Sequence, residues 1–290
     1  MALSALSHNT LRHVLCGFLC LLSSYSAQAQ PVDAHRIISV DSNATEILQA
    51  LGVSQQIIAA DITSEPLLAG QKVSNLGYHR TLSAEAILAL QPTLIVGSDH
   101  TGPAATVRAI ENAGLNFIRL DSPKQTDDLI ANIAQLADTL DRQAAGEKLI
   151  AQVQQIQDAI NKRLDDTVFN MVFLLDLNDK GLSQGGKGTV GNDLITVLNG
   201  VNASQFNGYQ TVSLESLLAI NPDVILVGKR SNGAPPVEDL VARYPLLKHT
   251  PAGAHQRIIS VDASALIAGL SVNAVTQAQH LAEKIYPDTP

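Results

Sequence analysis

The sequence predicts an α/β protein of two similar lobes joined by a long α-helix. Three observations carry this. Short apolar runs rich in Ile and Val alternate with helical patterns, a helix–Pro–strand unit occurs twice, and an uninterrupted helical stretch lies between the two copies. The 290 residues suit about two domains at roughly 100–200 residues each. With 46% apolar and 16% charged residues the chain can bury a core.

The N-terminal segment stands apart. Arg12 and His13 precede an apolar stretch over residues 14–22, followed by small polar residues and Ala27-Gln28-Ala29. A positive start, a short apolar region and an A-x-A site are the marks of a secretory signal peptide over residues 1–29. The apolar run is too short for a membrane span of about 20 residues. Cleavage after Ala29 removes both cysteines, Cys16 and Cys20, neither in a lipoprotein context. The exported chain then holds its fold by packing rather than disulfides, and its expected location is the periplasm. The net charge is −8, and losing Arg12 makes it one unit more negative. That balance argues against nucleic acid or an anionic membrane as partner.

In the first lobe, residues 36–40 read as a strand and residues 44–51 as a helix ended by Gly52. Residues 57–60 form a second strand. A helix over 83–90 stops at Gln91-Pro92, and residues 93–97 make a buried strand. A helix over 106–113 stops at Gly114, and residues 116–120 are a further strand. This alternation implies a mostly parallel sheet covered on both faces. Residues 125–140 then carry Leu129, Ile133, Leu136 and Leu140 on one face. A helix from about 142 to 164 carries Leu149, Val153, Ile156, Ile160 and Leu164. At 1.5 Å per residue it is a strut of roughly 35 Å, suited to limiting lobe closure. The expected division is residues 30–141, 142–165 and 166–290.

The second lobe repeats the first. Leu82-Ser83-Ala84-Glu85 through Gln91-Pro92 matches Val212-Ser213-Leu214-Glu215 through Asn221-Pro222, each followed by an apolar strand, and Gly77-Tyr78 matches Gly208-Tyr209.

Several chemistries are absent. Gly181, Gly186 and Lys187 satisfy G-x-x-x-x-G-K, but Gly188 follows where a phosphate loop needs Ser or Thr. Residues 185–189 therefore read as a strand-to-helix turn. The histidines beyond residue 29 lack zinc spacing, there is no G-x-S-x-G, and no compact carboxylate pair is present. No enzymatic activity is signalled, although a secreted enzyme using a cleft between the lobes is the reading from another functional class.

The most informative stretch is Asn75-Leu76-Gly77-Tyr78-His79-Arg80-Thr81-Leu82-Ser83. A Gly turn, a phenol, an imidazole and a guanidinium precede a capped helix. Aromatics are only 3% of the chain, so each tyrosine is informative. Tyr78 is either packed on the lobe surface or placed at a cleft between the lobes, with Tyr209 bordering it from the second lobe. Ferric iron accepts a phenolate oxygen, and a nearby guanidinium favours the phenolate.

These residues resemble the periplasmic haem-binding proteins of bacterial ABC-type haem importers. The likeness runs from Arg36 to about Tyr286. It rests on Arg36-Ile37-Ile38-Ser39-Val40, Thr45-Glu46-Ile47, Ala50-Leu51-Gly52, Gly77-Tyr78-His79-Arg80, Gly102-Pro103, Gly185-Gly186-Lys187-Gly188-Thr189 and Gly208-Tyr209. Vitamin B12 and siderophore binders share the scaffold, so haem specificity hangs on the G-Y-x-R segment. The resemblance implies two Rossmann-like lobes with a ligand cleft between them and one ferric haem as transported ligand. It implies Tyr78 as axial iron ligand, with Arg80, Tyr209 and Arg230 near the ligand and His79 as a competing one. It further implies delivery to an ABC permease dimer, docked through Glu85 and Glu215, one on each lobe. A siderophore or corrinoid binder is the alternative on the same scaffold.

Overall fold

A computed structural model describes residues 35–164, 167–177, 180–229 and 236–287. The signal-peptide segment and Arg230 lie outside them. The first lobe is a five-stranded sheet in the order β3-β2-β1-β4-β5, every neighbouring pair parallel. Its strands are β1 (Ile37–Ser39), β2 (Ile57–Ala60), β3 (Ser74–Asn75), β4 (Leu94–Ser98) and β5 (Phe117–Leu120). Its helices are α1 (Ser42–Ala50), α2 (Ala84–Ala89), α3 (Ala104–Asn112) and α4 (Thr126–Thr139). Adjacent apolar residues on one strand serve opposite faces. Ile37 joins Ile47, Leu48 and Leu129 in one core, while Ile38 joins Ile87 and Ile110 in the other. A strand buried on both sides has no polar alternation, which is why this sheet reads as unbroken apolar runs.

The linking helix is α5 (Gln143–Arg163), about 30 Å long. Leu149 and Val153 pack in the first lobe's core, Ile160 packs in the second's, and Ile156 touches both. A second tie crosses beside it. In α10 (Val272–Ile285), Val275 packs with the first core and Ala278 and Leu281 with the second. The Asn273 N–H donates to Glu46 at 3.0 Å, and the Leu270 N–H donates to the Pro123 carbonyl at 2.8 Å.

The second lobe carries a mixed sheet. Its main path runs β11-β10-β6-β7-β9, with β8 beside β6. Strands β6 (Asn170–Asp176), β8 (Val201–Asn202), β10 (Val224–Lys229) and β11 (Ile258–Asp262) pair parallel. Strands β7 (Leu182–Gly185) and β9 (Tyr209–Val212) are antiparallel to their neighbours. Its helices are α6 (Val190–Val197), α7 (Leu214–Ile220), α8 (Val237–Arg243) and α9 (Pro251–Ala254). Residues 185–189 do form the strand-to-helix turn, with Thr189 capping α6.

The repeat extends to the backbone. Ser83 and Ser213 cap α2 and α7 through their hydroxyls. Gln91 (φ 46°) and Asn221 (φ 53°) both turn left-handed before their prolines, and Gly77 (φ 80°) and Gly208 (φ 74°) match likewise. The copies diverge where Gly186 brings two backbones together. Its N–H donates to the Gly208 carbonyl at 2.8 Å, and a Cβ there would lie 2.1 Å from the Phe206 carbonyl oxygen. Backbone on backbone cannot relax as a side chain does. Gly186→Ala is therefore expected to lower stability by about 1–3 kcal/mol or more, read as a lower urea midpoint.

Candidate functional site

In a parallel sheet, side chains converge beyond the carboxyl ends of the strands, most of all where the strand order reverses. Here β1 runs into Asp41, β2 into Asp61, β3 into Gly77–Arg80 and β4 into Asp99 and His100. Four segments far apart in sequence thus meet at one edge of the first lobe.

The loop carrying Tyr78 is held through the carbonyls of Gly77, Tyr78 and His79 and the Gly77 N–H. Asn75 accepts the Gly77 N–H through its side chain at 2.6 Å, and the Gly77 carbonyl accepts from the Ile62 N–H at 2.8 Å. The Tyr78 carbonyl accepts from Thr81 N–H at 2.8 Å, and the His79 carbonyl from Gly102 N–H at 2.9 Å. A Cβ on Gly102 would sit 3.2 Å from the Arg80 carbonyl oxygen, so the close approach favours glycine. The result is a division of labour between neighbours: Tyr78 stands 45% exposed while His79 is 1% exposed. Their rings touch, centroids 4.2 Å apart and tilted by 50°.

Behind His79 lies a buried carboxylate. Asp61 Oδ2 accepts from His79 Nδ1 at 3.1 Å and from Thr63 Oγ1 at 2.7 Å. Asp61 Oδ1 accepts from the Asp41 N–H at 3.0 Å and Ser64 Oγ at 2.8 Å. Burial alone would raise its pKa, but the bonds from His79, Thr63 and Ser64 outweigh it and hold Asp61 below the usual carboxylate range. Asp41, equally buried, behaves oppositely. Burial pushes it up to about 7, against the bonds from the Ala44 N–H and the Ser98 hydroxyl.

Between the lobes this edge forms one wall of a cleft of about 630 Å³. The first-lobe wall consists of Ile62, Thr63, Tyr78, His79, Arg80 and His100. Facing it, Phe173, Leu175, Val190, Ala263, Leu266 and Ile267 make an apolar wall, joined by Tyr209, itself 39% exposed. Among the described lining residues Arg80 is the permanent cation, and none is a carboxylate. Burial pushes the His100 imidazole toward its neutral form; Asp99 opposes this, and Arg80 and His79 reinforce it. The cleft is thus cationic on one side and apolar on the other, in a chain whose net charge is −8.

Residues 37–265 match the family model for periplasmic binding proteins. The chain is a periplasmic binding protein. Among solved structures, a periplasmic haem-binding protein of Vibrio cholerae, HutB, is 31% identical, with a TM-score of 0.76 over 88% of this chain and 100% of that one. A periplasmic haem-binding protein from Pseudomonas aeruginosa is 25% identical, with a TM-score of 0.75 over 88% and 94% of the two chains. The vitamin B12-binding protein BtuF of Vibrio cholerae, 21% identical with a TM-score of 0.72 over 88% and 98%, shares the fold. No protein of curated function matches the sequence at a significant level. The family and these neighbours are binding proteins, not enzymes.

Of the site residues expected from the sequence, the binding protein brings Tyr78, His79, Arg80 and Tyr209 to one cleft. Glu85 and Glu215 sit exposed in the first turns of α2 and α7, away from it. Glu215 is held below its ordinary pKa by its own N–H and the Ser213 hydroxyl. Sequence reasoning missed His100, Thr63, Asp41, Asp61 and the apolar wall. One signal was available: each of the polar four follows the end of a predicted parallel strand, where ligands bind in α/β sheets. Among the described residues no helix is long and apolar enough to cross a membrane, and no cluster of three His, Cys, Asp or Glu is placed to hold a metal ion.

Proposed function

We propose that this periplasmic binding protein carries ferric haem in its inter-lobe cleft, with the Tyr78 phenolate as axial iron ligand, and delivers it to an ABC permease. The observation that carries the reading is the composition of the cleft. One wall is apolar and suits a porphyrin face. The other offers a phenol for ferric iron and a guanidinium, with no described carboxylate to repel the propionates. The volume falls in the roughly 300–1,000 Å³ range of small-ligand sites. The haem-binding neighbours at 31% and 25% identity support the same cargo. Arg80 lines the same wall as Tyr78 and offers a positive charge to a propionate; Tyr209 borders the ligand from the second lobe. Residues 1–29 act as the export signal.

Titration of the purified protein with ferric haem, followed by absorption, tests the cargo. Saturable binding of one haem, not displaced by excess cyanocobalamin, is expected. Tight cobalamin binding without haem binding would assign the corrinoid reading instead.

Delivery rests on Glu85 and Glu215, exposed in matching first turns of the two lobes, where they can meet arginines of a permease dimer. Glu85→Lys/Glu215→Lys is expected to abolish haem uptake by reconstituted transporter while leaving haem affinity within about twofold, because both lie outside the cleft. Unchanged uptake would remove the docking role.

A further inference from the structure

We propose that Asp61 is a positioning residue for haem ligation: through His79 it fixes the loop that presents Tyr78 to the cleft. This rests on Tyr78 being the iron ligand.

The geometry forms a column running from the interior to the cleft. Asp61 is wholly buried at the end of β2, and its two oxygens gather donors from three segments. These are the Asp41 N–H after β1, Thr63 and Ser64 after β2, and His79 after β3. The His79 ring then lies between that carboxylate and the Tyr78 ring. A buried carboxylate is costly unless every lone pair is engaged, so these donors are locked to it and to one another. His79 cannot turn outward without leaving Asp61 short of a donor. Its neighbour Tyr78, bound to the same backbone, therefore keeps one direction.

Fixing the phenol matters because affinity for iron depends on how well the ligand is oriented before binding. Outer partners of metal ligands are worth about 10–100-fold in affinity. Exposure favours Tyr78 over its neighbour: His79 is 1% exposed and Tyr78 45%, so the part of His79 is support while Tyr78 meets the cargo.

The test compares His79→Leu, His79→Asn and His79→Gln in the full exported chain, each checked for native circular dichroism. The Asn amide nitrogen reaches the place of Nδ1, whereas that of Gln reaches the place of Nε2. The Leu variant is expected to bind ferric haem about 10–100-fold more weakly, with a shifted or heterogeneous phenolate-to-iron charge-transfer band. Asn should recover about tenfold of that loss and a single band, and Gln should not. Should Leu fail to fold, the Asn–Gln comparison decides alone. Wild-type affinity and spectrum in His79→Leu, or equal defects in Asn and Gln, would overturn the inference. Tyr78→Phe separates the two claims. If it keeps the charge-transfer band, the ligand assignment itself is wrong. If it loses the band while His79→Leu keeps it, only the positioning role fails.

Discussion

Tyr78→Ala loses ferric haem affinity by about 100-fold or more, roughly 2.7 kcal/mol, while the fold persists. The two halves of this expectation have separate grounds. Tyr78 is 45% exposed, and its removal opens no core cavity, so unfolding midpoints should stay close to wild type. The loop that carries it is pinned through main-chain carbonyls and the His79–Asp61 bond, none of which uses the phenol. Residual binding comes from the apolar wall and Arg80, which do not need the iron. Equilibrium titration with ferric haem reads the loss, and an unchanged dissociation constant would remove Tyr78 from the site.

Asp41→Asn should flatten the pH dependence of stability between about pH 4 and pH 7. Burial raises the Asp41 carboxyl from 3.8 to about 7 in the folded protein. Between those values the folded state holds a proton that the unfolded chain has released, so wild-type stability falls as pH rises, by up to roughly 4 kcal/mol in all, and levels off above pH 7. Asparagine carries no such proton and still offers an oxygen to the Ala44 N–H, the bond by which Asp41 caps α1. Asp61 does not confound the window. Held below the carboxylate range, it contributes stability that is present above its unfolded pKa and lost only as pH falls below about 4. Urea unfolding at several pH values gives the comparison; parallel slopes in wild type and variant would contradict it.

The fold was legible where one physical signal dominates. Ile37, Ile38, Leu94 and Ile95 are apolar on both faces because the sheet is covered twice, and Leu149 to Ile160 keep helical spacing because one stripe of α5 must face two cores. The start of α1 was less legible. The helix begins at Ser42, two residues before the first apolar position of the pattern, because Asp41 caps it at φ 83°, a conformation no local pattern announces. The repeat covers only part of the second sheet. Helix α7 and strand β10 copy α2 and β4, but β7 lies outside the matched segments and pairs antiparallel with both β6 and β9.

The same distinction applies to the site. Gly77-Tyr78-His79-Arg80 is a contiguous motif and stood out at once. Asp41, Asp61 and His100 lie 20 or more residues from one another and meet only because the strand order places β1, β2 and β4 side by side. Each looks like an ordinary polar residue in a loop. The apolar wall was hidden for the opposite reason, since Phe173 and Leu175 belong to a strand that reads as core.

The central claim is that the Tyr78 phenolate binds the iron of haem in this cleft. Resonance Raman spectra of the ferric-haem complex, excited in the phenolate-to-iron charge-transfer band, test it most directly. Tyrosinate ring modes should be strong in the wild type and absent in Tyr78→Phe. Their absence from the wild type, or their survival in Tyr78→Phe, would contradict it.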